Sequence, residues 1–455
     1  RDRLRSRGLG DVYKRQFSQD YALSVSGSAG VVPYRVNASY TNNQGIIKTS
    51  GMQRATVGFS LTPKFFNDAL SITANANGTY VRVRNNADVM GTAVALAPVM
   101  PVYKNYNTVD AQGNPSALKM FNGYYNWTTT TGEPEVNASE NPVQNLMEQH
   151  NINKTFSSTG NLQIDYALYW VPELHFNLNL GYQVSKNDQR SDIADNSISR
   201  WRANYNNGAA TSYDWHEIQR NTMLSFYIDY KKYFEAAKSD LDVMVGYDWQ
   251  RFDYFGNSHE TFDSYGYNNT WSQIYSNGTY TLIPLNADNT LDPKLVLGEP
   301  YNGAPESRWG NINQLVSFYG RLNYIFDDTY LLTFTLRDDG TSRFSKDNRW
   351  GLFPALALGW KINNMPFMER AQGWLNDFKL RLGWGQTGQQ QMDGMYFPYL
   401  PIYTDSYTNG FRYLNPDGSG TWINPLYPNA YNPDLKWETT TTWNVGLDMG
   451  FMNNR

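Results

Sequence analysis

Apolar residues recur at every second position in this chain, over stretches too long for an ordinary strand. Leu174, Phe176, Leu178, Leu180, Tyr182 and Val184 alternate with His175, Asn177, Asn179, Gly181, Gln183 and Ser185. A period of two puts successive side chains on opposite faces of an extended backbone, so one face is apolar and the other polar or small. Leu162, Ile164, Tyr166, Leu168 and Trp170 against Gln163, Asp165, Ala167 and Tyr169 repeat the pattern. So do Leu241, Val243, Val245, Tyr247 and Trp249, and again Tyr330, Leu332, Phe334 and Leu336.

Runs of about 10 to 16 residues exceed the usual soluble strand of about five or six. They are long enough to cross a bilayer when tilted. The apolar faces also tend to end in Tyr or Trp, whose rings and polar handles suit a boundary between hydrocarbon and water. The chain is rich in such residues, with Tyr 34, Phe 22 and Trp 14 making 15% of it. A mean hydropathy of −0.60 and the lack of any apolar run of about 18 residues exclude membrane helices. They say nothing against a membrane β-barrel, whose alternation flattens any hydropathy peak. Composition alone suits a large soluble all-β protein equally well.

The spacing predicts thirteen strands, near 21–29, 32–42, 53–64, 69–84, 155–169, 173–187, 215–232, 239–256, 312–327, 329–342, 349–363, 377–388 and 437–451. Short links such as Val171-Pro172 and Asp327-Asp328 alternate with the long segments 85–154, 188–214, 257–311 and 389–436. Short turns on one side and long loops on the other are the habit of outer-membrane barrels. Residues 364–376 interrupt the short side and are expected to form a small helical or packed turn. The expected fold class is all-β: a partial transmembrane antiparallel β-barrel with long extracellular loops and short periplasmic turns.

Residues 1–16 stand apart, crowding six cations into a stretch with no periodicity. Asp11-Val12-Tyr13-Lys14-Arg15-Gln16 translates GAT GTG TAT AAG AGA CAG, which is similar to a transposase mosaic-end adapter used in sequencing. The expectation is an adapter artefact over 1–16 and one barrel domain over 17–455. The chain's net charge is −4; the first sixteen residues contribute +4, so the remainder carries −8. A mildly acidic chain with no basic patch argues against a nucleic-acid partner. Cysteine is absent, so no disulfide contributes.

Several segments resemble signatures of the SusC/RagA-like, TonB-dependent outer-membrane transporters of Bacteroidetes. One runs Leu336-Arg337-Asp338-Asp339-Gly340-Thr341-Ser342-Arg343-Phe344, on through Arg349-Trp350-Gly351 and Phe353-Pro354-Ala355 to Gly359-Trp360. Another is Leu380-Arg381-Leu382-Gly383-Trp384-Gly385-Gln386-Thr387-Gly388, followed by Gln389 where relatives usually place Asn. A third is Asn432-Pro433-Asp434-Leu435-Lys436-Trp437-Glu438-Thr439, and the Gln44-Gly45-Ile46-Ile47-Lys48 turn with Arg54 is similar too. The resemblance implies a nutrient importer that takes up oligosaccharides or peptides, with a SusD-like surface lipoprotein over its mouth. It also implies TonB-ExbB-ExbD acting through a plug domain that nothing here matches, outer-membrane lipid around the wall, and no cofactor. Relatives close about 22 strands, so the chain is expected to be an interior fragment. Expressed alone, 17–455 is expected to lack heat-modifiable barrel mobility.

The signature residues Arg337, Asp339, Gly340, Arg343, Phe344, Trp360, Gly388, Pro433, Trp437 and Glu438 have structural explanations. Arg337 and Arg343 flank Asp338-Asp339-Gly340, where carboxylates can pair with guanidinium groups and Gly can take positive φ. A latch on a short extracellular turn is expected, with Trp437 in an aromatic girdle. Asn177, Asn179, Gln183, Asp242, Asp248, Arg321 and Asn323 are expected to line a wet lumen. The loop aromatics Tyr124, Tyr125, Trp127, Tyr403, Tyr407, Tyr413 and Trp422 either touch ligand or pack the loops on one another.

Enzymatic patterns are weak. His150, His175, His216 and His259 lack metal-ligand spacing. Glu133 with Glu135, or Asp338 with Asp339, are neighbours in sequence, whereas glycosidase carboxyls face each other across a sugar. Asn-Asp-Gly clusters at 286–293 and 415–420 miss the EF-hand spacing for Ca²⁺. Two other readings remain: a soluble secreted all-β carbohydrate-binding or glycan-degrading protein, and a passive porin.

Overall fold

The computed structural model describes residues 16–87, 89–97, 99–104, 120–129, 135, 137–194, 197–199, 211–262, 271–276, 279–284, 307–371, 373–391, 397–405, 413–414, 422–423, 426–428 and 430–451. Twenty strands follow in chain order: β1 Ser18–Ala29, β2 Val32–Gln44, β3 Gly51–Leu61, β4 Lys64–Phe65, β5 Leu70–Asn85, β6 Gln149–Leu168, β7 Val171–Ile193, β8 Thr211–Phe234, β9 Ser239–Phe262, β10 Trp271–Ser276, β11 Thr279–Pro284, β12 Ser307–Phe326, β13 Tyr330–Thr341, β14 Trp350–Lys361, β15 Leu375–Gln389, β16 Tyr403–Asp405, β17 Tyr413–Leu414, β18 Trp422–Ile423, β19 Leu426–Pro428 and β20 Glu438–Phe451. One open antiparallel sheet carries β1, β2, β3, β5, β6, β7, β8, β9, β12, β13, β14, β15 and β20 in that order, with β4 paired to β5. The remaining strands form three small two-stranded pairs in the long links. Consecutive long strands are neighbours throughout, the meander that hairpin connections impose.

Each of the thirteen expected strands corresponds to one of the long ones, but those in the middle are longer than alternation suggested. β7 has 23 residues and β8 and β9 have 24 each. About 9–11 residues cross a tilted bilayer, so these strands carry the wall well beyond it. Their upper parts are polar on both faces, for example Lys186 to Asp192, and this hid them from a search for alternation.

The short-side turns are built from local chemistry. Asp327 and Asp328 both take positive φ (51° and 48°) between β12 and β13, as a tight hairpin turn with right-handed strand twist requires. Lys238 and Lys361 hold their carboxylates at 2.9 and 2.6 Å. Residues 362–374 contain two 3₁₀ turns, Ile362–Asn364 and Pro366–Met368, as expected for that interruption.

Burial is inverted relative to a soluble protein. Outward residues such as Leu23 (66% exposed), Val57 (57%) and Val445 (74%) stand bare along the strands. A water-facing surface does not tolerate an apolar band of this extent, whereas hydrocarbon requires it. Phe326, Tyr330 and Trp360 stack in a row at the short-turn end of this face, with ring centroids 6.3 Å apart at each step. No helix among the described residues is long and apolar enough to cross a membrane; the strands do the crossing. The apolar core lies above the sheet instead, where Val89, Ala93, Val143 and Leu146 pack in the long β5–β6 link with Ile47 of the β2–β3 turn against them.

Candidate functional site

The inner face is a polar wall, and one guanidinium ties three of its strands together, with a fourth joined through Asp248. Cross-strand pairing sets Ser225 of β8 opposite Asp248 of β9, Asp248 opposite Ser317 of β12, and Ser317 opposite Asp339 of β13. Arg337 reaches across this row. Its Nε donates to Asp339 at 2.7 Å, Nη2 to Ser317 Oγ at 2.8 Å, and Nη1 to Asp248 at 3.3 Å. The Arg337 guanidinium also lies 5.4 Å from the Tyr319 ring centroid, and Ser225 and Tyr319 donate to Asp248 at 2.6 and 3.3 Å. A planar fork with five donors can satisfy such a row at once, which an ammonium cannot.

The pairing expected from the sequence holds for Asp339 but not for Asp338, which falls on the opposite face beside Phe318 and Leu352. Adjacent strand residues point apart, so Asp338 and Asp339 cannot flank one sugar as a catalytic pair. Gly340 is also corrected. It lies within extended β13, and the described glycines with positive φ are Gly30 and Gly123. Its requirement is steric, because a Cβ there would meet the Trp350 ring at 2.8 Å.

Arg337, Asp339 and Gly340, expected to latch a turn, lie within β13. Above this wall it is the turn after β13 that is tied to the segment before β20. Trp437, expected in a girdle, instead enters an inner aromatic cluster, edge-on to Phe344 and Phe353 at 5.9 and 5.3 Å. Its indole N–H donates to the Arg349 carbonyl at 2.9 Å, and Asn348 Nδ2 donates to the Pro433 carbonyl at 3.3 Å. Phe344 is fully buried. Gly351 and Gly388 give the Phe353 ring its space, since a Cβ on either would collide with it. Arg343 donates its backbone N–H to Thr341 Oγ1, Glu438 opens β20 opposite Gln389, and Trp360 stands outside in the stacked row described above.

Nearer the short turns, Asp165, His175, Asn177, Tyr227, Asp229 and Arg321 line an open concavity in the inner wall. His175 Nδ1 is 2.8 Å from Asp165, and Asn323 Nδ2 donates to Asp242 at 3.4 Å. The seven expected lumen residues all fall on this face with Arg337. The other Asp-bonded histidine, His216, contacts Asp188 on the outer face. Among the described residues no three His, Cys, Asp or Glu side chains are grouped to hold a metal.

The loop aromatics divide. Tyr124 packs on Tyr103 at 5.0 Å and pairs with it as an isolated bridge. Burial, with Tyr103 and Glu148 nearby, pushes its phenol up to about 12. Tyr125, also raised by burial, meets Trp127 edge-on at 5.7 Å. Beneath them Asn141 caps helix Pro142–Glu148 through Val143 and Gln144 N–H, and donates to the Val102 and Tyr125 carbonyls at 2.9 Å each. Tyr403 is exposed on β16, while Tyr413 and Trp422 lie in the paired strands β17 and β18. Tyr407, Glu133 and both Asn-Asp-Gly clusters lie outside the described residues, as does the adapter-like Arg1–Arg15.

Residues 102–455 match the family model for the TonB dependent receptor-like β-barrel. The chain belongs to the TonB-dependent receptors. It is 35% identical over 452 residues to the TonB-dependent receptor SusC of Bacteroides thetaiotaomicron, covering 98% of this chain and 40% of SusC. It is 26% identical over 442 residues to the TonB-dependent receptor P26 of Formosa agariphila, covering 95% and 38%. The solved RagAB peptide transporter superposes with a TM-score of 0.66 at 17% identity, covering 98% of this chain and 44% of that one; at that identity the likeness shows the fold. The receptor thus spans about two fifths of the curated relatives it matches. Its family places it in the bacterial outer membrane, which overturns the soluble reading and agrees with the bare apolar band on its strands.

Proposed function

We propose that this receptor domain forms wall in a TonB-dependent importer that takes up oligosaccharides or peptides with a SusD-like lipoprotein over its extracellular mouth. Similarity to SusC along 98% of the chain supports this reading most directly. The inner wall suits it chemically: hydroxyls, amides and internally paired charges offer exchangeable hydrogen bonds to a polar solute without holding it tightly. Gating belongs to a plug elsewhere in the full-length protein, driven through TonB-ExbB-ExbD, with this domain as the fixed frame. None of the wall residues performs covalent chemistry in this account.

Deleting the full-length gene in its host and measuring growth on defined oligosaccharides or peptides as sole nutrient tests the proposal. Loss of growth on one class, reproduced by loss of TonB, is expected. Uptake that survives loss of TonB contradicts it.

A further inference from the structure

On the outer face of five consecutive strands the apolar run ends at a cation. β5 runs outward through Ile72 and Tyr80 and then presents Arg82, and β6 runs through Leu162 and Phe156 to Lys154. β7 passes Tyr182 and Val184 to Lys186, β8 passes Leu224 and Thr222 to Arg220, and β9 passes Trp249 to Arg251. Arg82 and Lys154 are directly opposite. From β6 to β9 each successive cation lies one outward position further toward the short turns. That stepping follows the shear of a tilted sheet, so the five cations keep level with the upper edge of the apolar band.

Other strands end their outward runs differently. β1, β2 and β3 reach Gln19, Asn42 and Gln53, while β12, β15 and β20 reach Gln314, Gln386 and Thr441; β13 reaches Asp338. The cations therefore form a local strip rather than a ring.

Within the strip, charge is incompletely matched. Lys186 pairs with Asp188 at 2.8 Å and Arg251 with Asp253 at 2.7 Å. Asp188 lies directly opposite Lys154 and Asp253 directly opposite Arg220, each already bonded within its own strand. Among the described residues no carboxylate comes within ion-pair distance of Arg82, Lys154 or Arg220, so five cations face two carboxylates. Like charges directly opposite on a sheet are destabilising, so Arg82 beside Lys154 leaves an excess of positive charge that an external anion can offset. Exposed rings of Tyr80, Phe156 and Tyr182 lie just beneath. An anion here sits at headgroup height on the long-loop side, with hydrocarbon directly below it. Continuity with the lipid-facing band favours a lipid over a protein or a free ion.

We propose that Arg82, Lys154, Lys186, Arg220 and Arg251 form a binding strip for a phosphate-bearing lipid headgroup of the outer leaflet, whose acyl chains lie along β5–β9. Native mass spectrometry of the full-length receptor in nonionic detergent tests this, using diphosphorylated lipid A, its dephosphorylated form and inorganic phosphate as probes. The intact receptor is expected to retain the phosphorylated lipid, to lose it progressively between low and high salt, and to show no competition from inorganic phosphate. An R82Q/K154Q/R220Q variant is expected to bind on the order of 100-fold more weakly, about fivefold per cation near a membrane surface. Gln314→Ala with Gln386→Ala is expected to change nothing. If the triple variant does not fold, the exposed single change K154Q and the salt series on the unaltered receptor carry the test. Equal retention of the dephosphorylated lipid, salt-independent binding, or full competition by inorganic phosphate overturns the proposal.

Discussion

The indole N–H of Trp437 donates to the backbone carbonyl of Arg349 at 2.9 Å, joining residues 88 apart in sequence. The bond fixes the foot of the long β15–β20 link to the turn between β13 and β14. It explains why a tryptophan just before a strand is not on the lipid face: its ring fills the space between Phe344 and Phe353, and its one donor finds the Arg349 carbonyl, which also accepts from the Thr341 N–H.

Replacing Trp437 therefore separates packing from hydrogen bonding. W437A removes both and should cost about 2–4 kcal/mol, as large-to-small changes in a packed aromatic cluster do. W437F retains most of the ring contact and should cost about 1 kcal/mol for the lost bond. The midpoint of heat-modifiable mobility of the full-length receptor reads both, and equal loss in the two variants would show that the hydrogen bond alone matters.

Arg337 should be harder to replace than any single partner. R337Q leaves Asp248 and Asp339 facing each other's field across two strands, at a cost of about 1–3 kcal/mol given that the guanidinium is partly exposed. Lysine should not restore it, because a point charge cannot reproduce the fork. Adding D248N to R337Q should recover part of the loss, and a double-mutant cycle with a coupling below about 0.5 kcal/mol would contradict the network.

Gly388→Ala should destabilise the Trp437 cluster through a collision with the Phe353 ring, and F353L should relieve it. Gly340→Ala should instead displace Trp350, 2.8 Å from the new methyl, so F353L should not help there. Tryptophan fluorescence of the two single variants distinguishes these outcomes.

In the β5–β6 link, the Tyr124 phenol is pushed up to about 12 from its ordinary 10.0 because burial disfavours the phenolate. The folded loop therefore holds the proton more tightly than the unfolded one. Its contribution is complete below pH 10 and is lost as pH rises toward 12. Tyr124→Phe should remove that alkaline loss, which phenolate absorbance and protease sensitivity of the loop would follow together.

Much of this architecture is legible in the residues. Leu174 to Val184 fixes one strand and both of its faces without further information, and the parity of Asn177, Asp248 and Arg321 already places them on the inner wall. Register is what alternation cannot supply. Nothing local says that Ser225, Asp248, Ser317 and Asp339 form one row, because that depends on how four strands slide past one another. Arg337 is visible as a signature, but its partners on β9 and β12 are not. Gly340 misled for a related reason: a glycine after two aspartates suggests a turn, whereas its need here comes from Trp350 on the next strand. Trp437, next to a strand start, reads as a boundary residue, because nothing local shows that Phe344 and Phe353 surround its ring.

Alternate residues of these strands face lipid and water within an outer-membrane wall. The chain has no cysteine, so single cysteines placed in it can report each face directly once any cysteine elsewhere in the full-length receptor is replaced. Spin labels would be placed at Leu180, Phe226, Phe318 and Leu382 on the outer face and at Asn179, Ser225, Ser317 and Gly383 on the inner face of the full-length receptor in outer membranes. The first set should be relaxed by dissolved oxygen and shielded from a water-soluble nickel chelate. The second set should show the reverse or, where packed, neither. Uniform access of both sets to the chelate, with no alternation between neighbours, would contradict that arrangement.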